Sequence, residues 1–188
     1  YTGLTHPREP LSMMNLFYFV QNLVESYGID SSEANYLINE RELWFIPVVN
    51  PDGYIYNEQI EPNGGGMHRK NRRDTGCGLG TQRGVDLNRN YGYGWGANDT
   101  GSSPDPCSAI YRGESAFSEP EIEIVKDFIL NKNFKNVLHY HSFGNVYIHP
   151  FGDGSHPAYG DLMIYRGIAQ EMSDLNNFNF GTGYETIG

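Results

Sequence analysis

The sequence is short of positive charge, short of cysteine and without a long apolar run. Its 188 residues carry 13 Lys and Arg against 23 Asp and Glu, a formal net charge of −10. Affinity for nucleic acid rests on neutralising phosphates with basic side chains, so nucleic acid is not an expected partner. The longest apolar stretch, Leu43 to Val49, is interrupted by Pro47 and is far below the ~20 residues that span a bilayer, so no membrane span is expected. Cys77 and Cys107 lack the paired CxxC spacing of a cysteine-built zinc site. They read as a single disulfide, a bond that persists mainly outside the reducing cytosol. Asn98-Asp99-Thr100 is a glycosylation triplet. Together the two features favour an extracellular or secretory-lumen setting.

What is present reads as one α/β domain. Apolar residues Leu11, Met14, Leu16, Phe17, Val20, Leu23 and Val24 recur at helical spacing, which predicts a helix over roughly 10–27 with this face in the core. Glu42 to Asn50 reads as a strand buried on both faces and followed by a tight turn at Asn50-Pro51-Asp52-Gly53. From Tyr54 to about Gly113 the chain is rich in Gly, Asn, Asp and Pro, with only Val85-Asp86-Leu87 strand-like, and a coil-rich stretch of that length suggests a site. Ser118-Glu119-Pro120-Glu121 has the form of a capping box before a helix to about Asn131. Strands are expected at 136–141 and 145–149, and a last helix near 159–176. Helices alternating with buried strands place sites where strands end, and His6, Asn50, Asn88 and His141 all fall just past strand ends.

His6 and Glu9 are three residues apart where the first strand meets the first helix, so one helical turn sets both on one side. An imidazole and a carboxylate suit Zn²⁺, and a third ligand must come from elsewhere. His139 and His141 alternate along a strand and face one side; either could serve, the other then being a hydrogen-bonded histidine. Arg69, Arg72, Arg73 and Arg89 cluster in an otherwise acidic chain, and guanidinium groups bind carboxylates through paired, charge-assisted hydrogen bonds.

The ordered segments His6-Pro7-Arg8-Glu9, Asn50-Pro51-Asp52-Gly53-Tyr54, Arg69-Lys70-Asn71-Arg72, Val85-Asp86-Leu87-Asn88-Arg89-Asn90, Tyr111-Arg112-Gly113 with Phe117-Ser118-Glu119-Pro120-Glu121, and His141-Ser142-Phe143-Gly144 resemble the motif series of the carboxypeptidase A/B-type zinc carboxypeptidases. The resemblance implies a mixed, mostly parallel central sheet flanked by helices, with residues 1–188 forming part of a catalytic domain truncated at both ends. It implies His6, Glu9 and His141 as ligands of one Zn²⁺, selecting His141 over His139, with Asp86 behind His6 to orient it. It makes Arg69 the group that polarises the scissile carbonyl, and Asn88 and Arg89 the grip on the terminal carboxylate. Arg8, Ser142 and Phe143 would line outer substrate subsites, and Cys77–Cys107 would match a family disulfide. Cis peptides are implied at Ser142–Phe143 and Pro150–Phe151.

The implied activity is removal of C-terminal residues from peptides or proteins. The family's general base lies beyond the segment Gly181 to Gly188, so Glu185 is not a candidate, and the chain alone is expected to bind zinc yet hydrolyse peptides poorly. A pro-segment outside this chain is a further candidate partner. Pro7, Pro10, His68 and Phe143 depart from the usual family residues and bear on substrate preference. The alternatives are a non-catalytic pseudo-peptidase that binds peptides, and a zinc deacylase of N-acyl amino acids.

Overall fold

A computed structural model describes residues 1–187, so Gly188, the last residue of the closing motif, lies outside the described residues. The chain forms two compact units, Tyr1–Ser142 and the segment from Phe143 onward.

In the first unit the helices are α1 (Pro10–Ser26), α2 (Glu33–Glu40), α3 (Pro51–Ile60) and α4 (Pro120–Leu130). Helix α1 starts with Pro at its first position and packs against α2, as the periodicity requires. The face it buries is narrower than expected: Leu16 and Leu23 are buried, whereas Leu11, Met14, Phe17 and Val24 are exposed. Helix α2 was not anticipated; Ser32 caps it by accepting from the Ala34 amide at 3.2 Å. The expected tight turn at Asn50 to Gly53 is instead the start of α3. The Asn50 side chain accepts from the Gly53 amide at 3.0 Å and Pro51 occupies the first position, the combination that favours helix initiation over a turn.

Helix α4 follows Glu119, but the capping box does not form. The Glu119 carboxylate accepts from Asn71, Arg73 and Ser118 and leaves the helix amides uncapped by a side chain. Ile122 and Val125 of α4 close with Val49 and Leu87 into the core of this unit, with Ile46, Tyr91, Phe117 and Ile129 packed against it.

The parallel pairing is present as isolated bridges. Thr2 bridges both Ile46 and His139, so the opening segment lies between the other two. Hydrogen bonds Ile46 N to Tyr1 O (2.8 Å), Gly3 N to Ile46 O (3.0 Å), Thr2 N to Leu138 O (2.9 Å) and Tyr140 N to Thr2 O (2.8 Å) hold it there. Residues 43 and 45–48 are half-buried and only Val49 and Asn50 are buried, contrary to a strand covered on both faces. Pro47 has no amide to donate, which breaks the ladder between Ile46 and Val49. Val85 and Asp86 are extended, bonded to Asn71 N and Tyr111 O at 2.9 Å each, before a 3-10 turn at Leu87–Arg89 replaces the rest of the expected strand.

The second unit is a parallel pair, β1 (Val146–His149) and β2 (Asn179–Thr182), in register Val146 with Asn179 through His149 with Thr182. They are connected by α5 (Tyr159–Asn176), and α6 (Gly183–Ile187) follows β2. The crossover satisfies the need of parallel strands for a long connection. The Pro150–Phe151 peptide is cis as implied; Ser142–Phe143 is trans, the form a non-proline bond ordinarily keeps.

Candidate metal centre

Two buried polar side chains position the first part of the site. The Ser12 hydroxyl accepts from Leu4 N at 2.9 Å and donates to Glu9 O at 2.7 Å, tying the end of the opening segment to the start of α1 with His6 held between. The Asn50 amide donates to Thr5 O and to Lys70 O at 3.2 Å each. It thereby sets the segment carrying His6 beside the one carrying Arg69. Gly53 is required here, since a Cβ would lie 2.6 Å from the Pro7 ring and 2.8 Å from Lys70 O. His141 arrives through the bridge that pairs Thr2 with His139.

His6, Glu9 and His141 converge, with one ligand atom from each inside 4.8 Å of the others. His6 Nδ1 is 2.8 Å from Glu9 Oε1, His141 Nδ1 is 2.9 Å from Glu9 Oε2, and the two Nδ1 atoms are 3.2 Å apart. Behind them, His6 Nε2 donates to Asp86 Oδ1 at 3.0 Å, which turns Nδ1 toward the cluster. Tetrahedral zinc with bonds of ~2.0–2.1 Å would separate its ligand atoms by about 3.3 Å. The two Nδ1 atoms at 3.2 Å are close to that spacing, the contacts to the two Glu9 oxygens are shorter, and the donor set of two imidazoles and a carboxylate is one that zinc accepts.

The charges are balanced by position. Burial alone would lower the His6 pKa, but hydrogen bonds to Asp86 and Glu9 outweigh it and hold the ring above its ordinary value. Burial would raise Glu9, yet the bonds from His141 and His6 keep its carboxyl well below the usual range. Asp86, fully buried, is held low by His6 and Arg69 against the same desolvation. Arg69 reaches Asp86 Oδ2 through Nε and Nη2, each at 2.9 Å, while its Nη1 lies 3.4 Å from His6 Nδ1 and 4.0 Å from Glu9 Oε1.

Residues 1–184 match the family described as zinc carboxypeptidase. The chain belongs to the zinc carboxypeptidase family. It is 34% identical over 154 residues to carboxypeptidase B of Astacus astacus, covering 80% of this chain and 46% of that protein. It is 32% identical to the inactive metallocarboxypeptidase ECM14 of Arthroderma otae, over 80% of this chain and 25% of that one. The crystal structure of carboxypeptidase A from Helicoverpa armigera superposes with a TM-score of 0.79 at 31% identity, covering 98% of this chain and 44% of that one. The chain thus spans less than half the length of these relatives. The fold expected from the sequence, helices on a mostly parallel sheet, is that of these zinc carboxypeptidases.

Around the zinc carboxypeptidase cluster the other expected residues are placed unevenly. The Ser142 amide donates to Glu9 Oε2 at 3.3 Å. Asn88 lines a cavity of about 230 Å³ together with Thr5, Tyr91, His139 and His141. Its backbone N–H donates to Asp86 Oδ1 at 3.1 Å. Arg89 donates from Nε to Gly101 O at 2.6 Å and from Nη1 to Asn88 O at 3.2 Å. Arg8 is exposed, and Phe143, in the second unit, is fully exposed. His139 is not in the cluster: its Nδ1 pairs with Thr2 Oγ1 at 2.6 Å. Desolvation first, then the nearby His141, lower its pKa, an effect that solvent limits because the residue is exposed.

The Cys77–Cys107 disulfide is present, with Cα atoms 5.2 Å apart. Glu185 is engaged locally, accepting from Thr182 N at 2.8 Å and pairing with Arg166 at 3.0 Å. The sequence reading missed Ser12 and Lys70. The latter is buried, with Nζ on Pro106 O and Ser108 O at 3.0 and 2.8 Å. No local pattern marks either residue, because each acts on backbone that only the fold brings near.

Proposed function

We propose that the protein is a zinc-dependent metallocarboxypeptidase that removes C-terminal residues from peptides or proteins outside the cell or in the secretory lumen. On this reading residues 1–188 belong to one catalytic domain. The observation that carries the proposal is the meeting of His6 Nδ1, His141 Nδ1 and the Glu9 carboxylate beside the Arg69 guanidinium. His6, Glu9 and His141 would hold one Zn²⁺. When bound, the ion lowers the pKa of a water molecule and polarises a peptide carbonyl.

The chain's own groups supply the rest. Asp86 keeps the His6 proton on Nε2 and anchors Arg69, whose remaining guanidinium N–H groups can stabilise charge developing on the carbonyl oxygen. Asn88 at the cavity wall, with Arg89 next in sequence, would receive the terminal carboxylate, the selection that makes an exopeptidase. Arg8, Ser142 and Phe143 would contact residues further along the substrate.

The test is zinc content and turnover of blocked dipeptides by the full natural protein. One Zn²⁺ per chain is expected, lost in His141→Ala. Arg69→Met should retain the metal and lose about 10²–10³-fold in kcat. Zinc binding with no turnover of dipeptides or of N-acyl amino acids would instead support a peptide-binding pseudo-peptidase; the ECM14 relative is named as inactive. Turnover of N-acyl amino acids alone would support the deacylase.

A further inference from the structure

Asn98-Asp99-Thr100 takes no part in the metal centre and is the only Asn-X-Ser/Thr triplet in the sequence. We propose that Asn98 is an N-glycan acceptor, its side-chain amide taking an oligosaccharide from a lipid-linked pyrophosphate donor. In the transfer a bond forms between Asn98 Nδ2 and the sugar's anomeric carbon, and Nδ2 gives up one proton, which ends on the released pyrophosphate or in solvent. The bond from that carbon to the pyrophosphate oxygen breaks, and the lipid pyrophosphate leaves with the electron pair.

The local geometry meets each need of that chemistry. Asn98 is exposed. Its Oδ1 accepts from the Thr100 amide at 2.9 Å, which fixes which end of the side chain is oxygen and which is Nδ2. Nδ2 makes no hydrogen bond among the described residues. An N-glycosylated amide keeps its carbonyl, so the bond to Thr100 survives modification. Nor does the glycan disturb what anchors the loop. Arg112, nearly buried, donates from Nη1 to Asn98 O at 3.2 Å, Asp99 Oδ1 at 2.8 Å and Ser102 Oγ at 3.2 Å, contacts that use the Asn98 backbone and not its side chain.

The triplet lies inside the loop closed by Cys77–Cys107, and a disulfide of that kind forms in the same oxidising compartments where glycan transfer to asparagine takes place. The inference rests on the extracellular or lumenal placement proposed above. That placement is tested separately, by the redox state of Cys77 and Cys107 in the protein from its natural source.

The experiment is peptide mapping of the full natural protein secreted from a eukaryotic cell behind a heterologous signal peptide. The disulfide-closed product is treated with peptide N-glycosidase in heavy-oxygen water. Conversion of Asn98 to isotope-labelled aspartate is expected, with loss of the glycan mass. Asn98→Gln and Thr100→Ala should abolish the shift and Thr100→Ser should keep it. Unmodified Asn98 in the secreted, disulfide-closed protein overturns the proposal, as does a glycan retained in Thr100→Ala.

Discussion

At the scale of single residues, Asp86 concentrates the most consequence in one side chain. One of its oxygens fixes His6 and the other fixes Arg69, so a fully buried carboxylate links a proposed metal ligand to the proposed oxyanion group. Asp86→Asn keeps the shape but not the charge. Zinc affinity is expected to fall about 10–100-fold, as when the group behind a ligating histidine is lost, read by competition with a fluorescent chelator. Stability should fall by about 3 kcal/mol in urea unfolding, because Arg69 loses a buried partner. Unchanged zinc affinity would mean that His6 is oriented by something else.

His68 gives a second residue-scale expectation. It is fully buried; Nε2 donates to Asn71 O at 3.0 Å and Nδ1 has no partner among the described residues. Burial depresses its pKa below the ordinary 6.5, helped by the Arg72 and Lys70 charges and opposed by the Asn71 and Thr81 carbonyls that favour the charged ring. A folded pKa below the unfolded one means that the contribution is complete above about pH 6.5 and is lost as pH falls toward the folded value. The melting temperature of the native sequence should therefore drop more steeply between roughly pH 7 and 5 than that of His68→Phe. Parallel profiles would show that His68 does not titrate on unfolding. Its substitution for the usual family residue was visible in the sequence; its buried lone pair was not, since burial is a property of the assembled loop.

At the scale of elements, legibility followed the strength of local pattern. Helices α1, α4 and α5 lie within a residue or so of their expected spans, because apolar periodicity and Pro at the start or Asn just past the end are local signals. Helix α3 was misread because Asn50-Pro51-Asp52-Gly53 satisfies both turn and helix-cap chemistry. The Asn50 amide decided for the helix by accepting from Gly53 while donating to two other segments. Strand pairing in the first unit was the least legible, since non-local partners determine where a ladder continues. Asn50→Ala should cost about 2–4 kcal/mol, as it uncaps α3 and leaves the buried Thr5 and Lys70 carbonyls unpaired. Ser12→Ala, which strands a single amide, should cost about 1–2 kcal/mol. Urea unfolding of the two variants should show that order, and the reverse would place the main fastening of the His6 loop at Ser12.

At the scale of the whole molecule, the candidate site was legible in advance where the core was not. Zinc chemistry accepts few residue types at few separations, whereas many apolar residues can fill a core. The three proposed ligands also come from distant parts of the first unit, Glu9 and His141 being 132 positions apart in sequence. A bound divalent ion would therefore cross-link the loop before α1 to the segment after α4. Because the unfolded chain does not hold these groups together, binding free energy becomes folding free energy. At zinc concentrations about 1,000-fold above Kd the gain is about 4 kcal/mol. Treatment with a strong chelator should lower the melting temperature of the native protein, and added Zn²⁺ should restore it. His141→Ala should melt at the lower temperature whether or not zinc is added. If chelator and His141→Ala both leave the melting temperature unmoved, the three side chains are a hydrogen-bonded cluster without a metal, and the hydrolytic reading falls with it.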